Sequence, residues 1–369
     1  MPTNHNLLQL TATKNSATCL SRDCSQLSRF DGDYCLCCAE SVPRKVRLRA
    51  VLRSRGKKVL DLGGCARRLG LQNRSKLLHG PLWAYTLPMQ LSPEQLRRFD
   101  RDGYLFFESL FGKDEIQVLL EEVPRLYAQR RPENVREKTG DVVRTNFAAH
   151  MYSYPFAKLA RHPRMVEPVR QIFGEDVYMH QFKINGKQAF DGDVWQWHQD
   201  YGTWVNDDQM PEARAMNVAI FLDEVNEFNG PLMFIPGSHT LGVLEAGHDV
   251  TTTSYPLWTI DHETIAKLVE RGGIVAPKGP PGSMILFHGC LVHASTSNLS
   301  PWDRVSVYLS LCAISNHIRR FKRPGYIAHR DFTPIRCLPD DCLLKDYDVP
   351  LPWKDGTPEE ELSGSLRAA

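Results

Sequence analysis

The sequence of 369 residues lacks any apolar run near the roughly 18 residues that a membrane-spanning helix needs. Its N-terminus lacks the charged-then-apolar order of a secretory signal. The ten cysteines are spread irregularly, which favours reduced thiols over a disulfide framework. No charge of one sign dominates, since the net charge is +2. With 42% hydrophobic and 24% charged residues, the chain is predicted to be a globular cytoplasmic protein with no membrane partner.

Residues 1–88 differ in composition from the rest of the chain. They contain 15 Lys and Arg against 5 Asp and Glu, six of the ten cysteines and no sustained apolar period. The segment is therefore predicted to be a basic, Cys-containing, disordered extension. The alternatives are a translated upstream extension before a start at Met89, a nucleic-acid-binding arm, or a zinc module. Nucleic acid is the less favoured partner, because basic runs are more often solvated tails. The zinc ligands would be Cys19, Cys24, Cys35 and Cys38.

The ordered pattern begins at Ser92, where Ser-Pro-Glu-Gln predicts a helix cap. Apolar spacing predicts helices over 92–102, 113–129 and 156–173, the last interrupted near Pro163. After Gly174 the apolar period changes to two, which predicts strands. These strands are Val177–Asn185, Val194–Asp200, Ala215–Leu222, Leu232–Ile235, Ser283–Phe287 and Arg304–Ala313, with an earlier one at Tyr104–Phe107. The pattern predicts a mainly β fold with flanking α-helices, a sandwich or barrel.

Two separated segments carry residues suited to metal chemistry. On a strand, His198 and Asp200 project to the same side, and one imidazole with one carboxylate is two-thirds of the facial triad that holds Fe(II). A third ligand is offered by His293, with His288 as the alternative five residues earlier. Arg304 then opens a strand, where its guanidinium is suited to a bidentate grip on a carboxylate.

These residues resemble the phytanoyl-CoA dioxygenase family of Fe(II)/2-oxoglutarate-dependent oxygenases over roughly 91–333. The resemblance rests on Trp197-His198-Gln199-Asp200, on Asn229-Gly230-Pro231-Leu232 running into Pro236-Gly237-Ser238-His239, and on His293 through Arg304. It implies a double-stranded β-helix, the cupin-like jelly roll, in a dioxygenase domain over 89–335 with a C-terminal tail at 336–369. It also implies iron on His198, Asp200 and His293 and 2-oxoglutarate on Arg304. The co-reactants would be Fe(II), 2-oxoglutarate and O2, with ascorbate as a reductant in vitro.

Within that family, 179–185 and 227–231 look like hydroxylases of free leucine and lysine in secondary metabolism, and ectoine hydroxylase is similar but more distant. The resemblance implies that Asn185, Asn217 and Ser295 help to hold 2-oxoglutarate and that Gln181 and Trp204 lie near the substrate. Gln181 and Asn185 share one strand face with Lys183, which agrees with such a role. The alternative is that these amides only satisfy buried backbone groups.

The substrate is predicted to be a small molecule, a free L-amino acid of the lysine or leucine type. The long connection from Thr240 to Gly282 is the expected lid, in which Leu257 and Trp258 would wall an aliphatic chain and Asp261 would meet a terminal ammonium. The alternatives are a larger secondary metabolite, an acyl-thioester or an ectoine-like compound. A cupin-like binding protein without catalysis is the other class. No residue pattern specifies an oligomeric state.

Overall fold

The computed structural model describes residues 89–353, except Thr139 and Thr253, and two short strands nearer the N-terminus. Those strands, β1 and β2, pair antiparallel over Thr11–Thr13 and Ser16–Thr18. The disordered extension, zinc module and nucleic-acid arm predicted within 1–88 otherwise lie outside the described residues. Among the described residues, no helix is both long and apolar enough to cross a membrane.

The described part of the chain contains six α-helices. They are α1 (Pro93–Asp102), α2 (Lys113–Tyr127), α3 (Tyr154–Leu159), α4 (Pro163–Phe173), α5 (Asp200–Asp208) and α6 (His262–Gly272). The capping box predicted at Ser92 is present, because Ser92 Oγ accepts from the Gln95 N–H and the Gln95 side chain accepts from the Ser92 N–H. Gly103 ends α1 in the left-handed region at φ 80°, where a glycine is least strained.

A seven-stranded sheet forms the larger layer. The strands are β3 (Tyr104–Phe107), β4 (Asn134–Arg136), β5 (Val143–Phe147), β6 (Val177–Lys187), β8 (Ala215–Phe221), β12 (Met284–His288) and β14 (Arg304–Ala313). They lie in the order β3-β12-β8-β14-β6-β5-β4. The central strands are long and buried, which matches the apolar patterning of their sequences.

A five-stranded sheet faces the larger one, in the order β10-β11-β7-β13-β9. Aromatic residues fill the space between the layers, and the rings of Phe234 and Phe287 lie 5.2 Å apart. The two antiparallel layers form the jelly roll that the resemblance implied. The strands of the smaller sheet are β7 (Trp195–His198), β9 (Leu232–Phe234), β10 (Gly247–Asp249), β11 (Leu257–Thr259) and β13 (His293–Ser295).

The structure differs from the sequence patterning in two segments that matter for the site. The strand predicted over Val194–Asp200 ends at His198, and Asp200 is the first residue of α5. The connection from Thr240 to Gly282 contains β10, β11 and α6.

The stretch predicted as a tail from 336 begins inside the ordered unit, since Cys342 and Leu343 are buried in the main apolar core. These two residues pack where the sequence offered only an irregular, proline-containing stretch.

Candidate active site

Three potential metal ligands meet where β7, α5 and β13 adjoin. His198 and His293 are direct partners across the antiparallel β7–β13 pair, so their side chains leave the sheet side by side. Their ring centroids lie 4.1 Å apart. Asp200 reaches the same point from the first turn of α5, after a single residue that turns the chain away from the sheet. The ligand atoms of the three residues lie within 4.8 Å of one another, close enough to share one metal ion.

The two imidazoles are oriented by the backbone. His198 Nδ1 lies 2.6 Å from the Gln196 carbonyl oxygen, and His293 Nδ1 lies 2.9 Å from the Leu291 carbonyl oxygen. Each Nδ1 therefore donates to a carbonyl, which leaves the Nε2 lone pair toward Asp200. Both Nε2 atoms lie 3.7 Å from a carboxylate oxygen of Asp200, His198 from Oδ1 and His293 from Oδ2. Burial lowers the pKa of His293 to about 3, so its imidazole is neutral and available as a ligand.

Asp200 is held as a carboxylate by its surroundings. Burial alone would raise its pKa, but the nearby Lys183 ammonium brings the pKa well below the ordinary range. Lys183 Nζ lies 4.0 Å from Asp200 Oδ1. Asn217 Nδ2 donates to Asp200 Oδ2 at 2.6 Å, and Asn217 Oδ1 accepts from Ser310 Oγ at 2.6 Å. Asn217 thus fixes the carboxylate that faces the imidazoles.

A buried cation without a counter-ion lies across the same cavity. Arg304 is 2% exposed, its Nε has no hydrogen-bond partner, and no salt bridge joins it to any acidic residue among those the structure describes. Burial lowers its pKa, which reflects the cost of keeping the guanidinium charged there. Ser295 Oγ, also without a partner, and Asn185 line the cavity with it. This arrangement fits a bound dicarboxylate that chelates a metal at one end.

Gln181 and Trp204 line the cavity but also bond to each other. Trp204 Nε1 donates to Gln181 Oε1 at 3.0 Å, and Gln181 Nε2 donates to the Ile327 carbonyl oxygen at 3.0 Å. The Gln181 amide therefore satisfies a buried backbone group, which is the alternative that the sequence analysis gave for it. Both side chains also border the cavity. Asn185 Oδ1 accepts from Thr145 Oγ1 at 2.9 Å.

The structure does not bring Trp258 or Asp261 to the cavity. Asp261 is exposed at the N-cap of α6, where its carboxylate accepts from the Thr264 N–H at 2.9 Å and the Thr264 hydroxyl at 2.7 Å. Trp258 packs against His248, with the ring centroids 5.0 Å apart. Of the residues expected in the lid, Leu257 does line the cavity, together with Tyr255.

His288 lies apart from the three clustered ligands. Its Nδ1 accepts from the Cys290 N–H at 3.0 Å, and its ring lies 5.3 Å from that of His239. Burial lowers its pKa to about 4. His288 therefore packs against the turn that leads into β13 rather than facing Asp200.

Sequence reasoning missed several residues that border the cavity. Arg323 enters from the C-terminal segment, where its guanidinium donates to Asp208 at the end of α5, and the Tyr255 hydroxyl hydrogen bonds with Arg323. Lys183 was placed on the right strand face but given no role. The sequence did indicate Lys183, because a basic residue shares a strand face with Gln181. No sequence pattern indicated Arg323, because its partner Asp208 lies 115 residues earlier.

A metal-binding facial triad inside a jelly roll, beside a buried arginine, defines the non-haem iron oxygenases that use a 2-oxo acid. Residues 99–306 match the phytanoyl-CoA dioxygenase (PhyH) family. The chain belongs to this family, and it is a 2-oxoglutarate-dependent dioxygenase that hydroxylates a small substrate with iron, 2-oxoglutarate and O2.

Named relatives cover most of the ordered part of the chain. The ectoine dioxygenase of Bordetella bronchiseptica is 36% identical over 264 residues, which are 67% of this chain and 86% of the relative. The L-proline trans-4-hydroxylase of Streptomyces griseoviridis is 32% identical over 248 residues, covering 64% of this chain and 92% of the relative.

Solved structures of the protein EctD are also similar to this chain. The crystal structure of EctD from S. alaskensis with 2-oxoglutarate and 5-hydroxyectoine superposes with a TM-score of 0.61 at 34% identity, covering 69% of this chain and 89% of that one. The structure of EctD with bound Fe gives 0.60 at 34% identity, with the same coverage.

Proposed function

We propose that this dioxygenase binds iron through His198, Asp200 and His293 and hydroxylates an aliphatic C–H bond of a small zwitterionic carboxylate. The convergence of the two imidazole Nε2 atoms on one carboxylate carries the metal assignment. Their Nδ1 atoms are already committed to backbone carbonyls, so each ring has one free ligand atom at the shared point. Asn217 and Lys183 hold the carboxylate ionised and fixed.

The far end of 2-oxoglutarate is assigned to Arg304, with Ser295 and Asn185 beside it. Arg304 is buried and forms no salt bridge within the described residues, although the Asp223 carboxylate attracts it from a greater distance. This supports the role, because an anionic ligand supplies a direct partner. When bound, iron would activate O2, one atom of which enters the succinate formed with CO2 from 2-oxoglutarate while the other enters the substrate C–H bond. The protein's own task is to orient both molecules and to exclude water.

The charges around the cavity support an anionic substrate group. Three basic side chains line it, namely Lys183, Arg304 and Arg323, against the single carboxylate of Asp200, which faces the imidazoles. With Arg304 assigned to 2-oxoglutarate, a substrate carboxylate would meet Lys183 and Arg323, whose charges are shared with Asp200 and Asp208. A terminal ammonium would find no further carboxylate among the lining residues. Aromatic side chains complete the wall and suit an apolar or delocalised body: Phe147, Trp195, Trp204, Tyr255, Phe287 and Tyr308.

The substrate class that follows is a compact zwitterion such as ectoine or L-proline, on which the named relatives act. Of the two amino acids predicted from sequence, leucine fits this cavity better than lysine, because Asp261 caps a helix outside it. The second candidate, a larger metabolite or acyl-thioester, is less favoured because the relatives take small substrates.

The test is a panel of ectoine, L-proline, L-leucine and L-lysine, each incubated with the protein, Fe(II), ascorbate and 2-oxoglutarate under air. We expect one of the first three to give succinate and a product heavier by one oxygen atom, with a weaker response to lysine. Omitting iron should abolish both signals. Oxidation of a carrier-tethered or larger compound alone, with no response to the panel, would support the second candidate instead.

A further inference from the structure

A buried ion pair lies behind the cavity wall without lining the cavity itself. Arg144 Nη1 donates to both carboxylate oxygens of Glu137 at 3.1 Å, and the two side chains are 1% and 3% exposed. A buried salt bridge is weak evidence for stability, because desolvating two charges offsets their attraction. The other contacts of this pair show what it does for the fold.

Arg144 contacts the segment that leads into β7. Its Nη2 donates to the Val194 carbonyl oxygen at 2.6 Å, and its guanidinium carbon lies 3.9 Å from the Trp195 ring centroid. The Asp193 N–H donates to Glu137 Oε1 at 3.2 Å. The pair thus sets the position of Trp195, whose ring borders the cavity next to His198.

Glu137 also contacts the segment before β11. Ser254 Oγ donates to Glu137 Oε2 at 2.6 Å, and the same Ser254 Oγ accepts from the Lys138 N–H at 2.8 Å. The next residue, Tyr255, borders the cavity, with its ring 6.0 Å from the ring of Trp195. One carboxylate therefore ties together the two segments that carry neighbouring aromatic walls.

We propose that Glu137 and Arg144 are positioning residues that hold Trp195 and Tyr255 against the substrate, with Ser254 as the link to Tyr255. This inference rests on the proposed function of the cavity. Neither charged group touches a reacting molecule. Their effect is geometric, because a substrate displaced by about 1 Å from the reacting position loses most of its rate.

The experiment compares Ser254→Ala, which leaves the ion pair intact, with Ser254→Thr, which retains the hydroxyl. Ser153→Ala is the matched control, since Ser153 Oγ donates to Glu122 at 2.6 Å away from the cavity. A double variant, Glu137→Leu with Arg144→Met, removes both charges together and so leaves none unpaired in the interior. Ectoine is the probe, and the readouts are KM for ectoine, KM for 2-oxoglutarate and the ratio of hydroxylated product to succinate.

We expect Ser254→Ala and the double variant to raise KM for ectoine about tenfold and to lower the product-to-succinate ratio, as for loss of a hydrogen bond to a charged group. KM for 2-oxoglutarate should stay within about twofold, and Ser254→Thr and Ser153→Ala should behave as wild type. Unchanged values in both variants would overturn the proposal, as would equal losses for ectoine and 2-oxoglutarate.

A second readout separates this inference from the proposed function. If wild-type protein does not oxidise ectoine, hydrogen exchange in the peptide covering 254–257 is compared between wild type and Ser254→Ala. Faster exchange there, with no change in Ser153→Ala, supports the positioning role even though the choice of substrate has failed. Identical exchange in wild type and Ser254→Ala would contradict the role.

Discussion

Two charged residues of the cavity, Arg304 and Asp200, have very different sets of contacting groups. Within the part of the chain that the structure describes, the buried Arg304 guanidinium forms no salt bridge, while Asp200 is contacted by an amide, an ammonium and two imidazoles. Buried polar groups are normally satisfied inside a protein, so an uncompensated cation indicates a ligand. The two residues lie at opposite ends of the cavity in the proposed site, Arg304 at the end for the organic anion and Asp200 at the end for the metal.

Arg304→Ala is expected to raise the 2-oxoglutarate concentration needed for turnover about ten- to a hundredfold, because a charge-assisted contact of about 1.5–3 kcal/mol is lost. Arg304→Lys should restore only part of the affinity, since an ammonium does not provide the two parallel donors of a guanidinium. Succinate formation as a function of 2-oxoglutarate concentration measures both. An unchanged KM for 2-oxoglutarate in Arg304→Ala would disprove the assignment.

Asn217 was expected from the family resemblance to help hold 2-oxoglutarate, but its amide donates to Asp200. Asn217→Ala should weaken iron binding about ten- to a hundredfold, as removal of a partner that orients a metal ligand does. With iron in excess, KM for 2-oxoglutarate should change much less. Iron titration of the apoprotein provides the measurement, and normal iron affinity with a raised KM would favour the role expected from sequence.

At the scale of elements, the site depends on how the chain turns between β7 and α5. Gln199 separates His198 from Asp200 and is itself 3% exposed. Its Nε2 donates to the Gly242 carbonyl at 2.8 Å and to the Cys290 carbonyl at 2.7 Å. Its Oε1 accepts from the Leu244 N–H at 2.9 Å. One side chain thus fixes the turn to two neighbouring loops.

Gln199→Leu should lower the free energy of unfolding by about 2–4 kcal/mol, because it leaves buried backbone groups without partners. Gln117→Leu is the control, since the Gln117 side chain donates to Glu121 on the exposed surface of α2. Urea unfolding of the two variants and wild type makes the comparison. Equal stability of the two variants would show that the turn does not need this side chain.

Sequence patterning predicted the elements whose apolar period was long and regular, such as β14, β8 and α1, with bounds close to those observed. It extended β7 to Asp200 because Gly202 and Thr203 are weak helix formers, so the start of α5 was not evident. It missed β5, whose five residues are all buried and show no alternation. Asp261 was given to the substrate although the following apolar residues Ile265 and Leu268 indicated a helix that it caps.

At the scale of the whole molecule, the site requires both layers of the jelly roll. The clustered imidazoles come from the smaller sheet, whereas Arg304, Asn185 and Asn217 come from the larger one. The chain order of these residues could be predicted from the motifs. The spacing of the two layers could not, because it is set by packing between residues far apart in sequence, such as Phe234 and Phe287.

Buried histidines outside the site predict how the stability of the fold responds to acid. Burial lowers the pKa of His329 to about 3, and its ring contacts that of His150 at 4.9 Å. The unfolded residue titrates near 6.5, so the stabilising effect of neutral His329 is fully present above about pH 6.5 and is lost as the pH falls toward 3. Acid should therefore destabilise the protein.

His329→Gln should reduce that dependence on pH. Between pH 6.5 and 4, unfolding free energy should fall less steeply in the variant, by up to about 1.4 kcal/mol per pH unit for one proton. His150 contacts this ring, so the difference reports His329 together with the accompanying change in the pKa of His150. Parallel curves for wild type and variant would show that His329 takes up no proton on unfolding.

His198, Asp200 and His293 are proposed to form the iron site, and a comparison of His293 with His288 separates this ligand set from its alternative. Loss of one ligand of three leaves too few to fix the metal. The measurement is iron bound per chain together with iron-dependent succinate formation, in His293→Ala and His288→Ala. We expect both signals to vanish in His293→Ala and to persist in His288→Ala, because the His288 ring accepts from the Cys290 N–H and lies apart from the three clustered ligands. Near-normal iron binding and turnover in His293→Ala, with their loss in His288→Ala, would show that His288 is the third ligand.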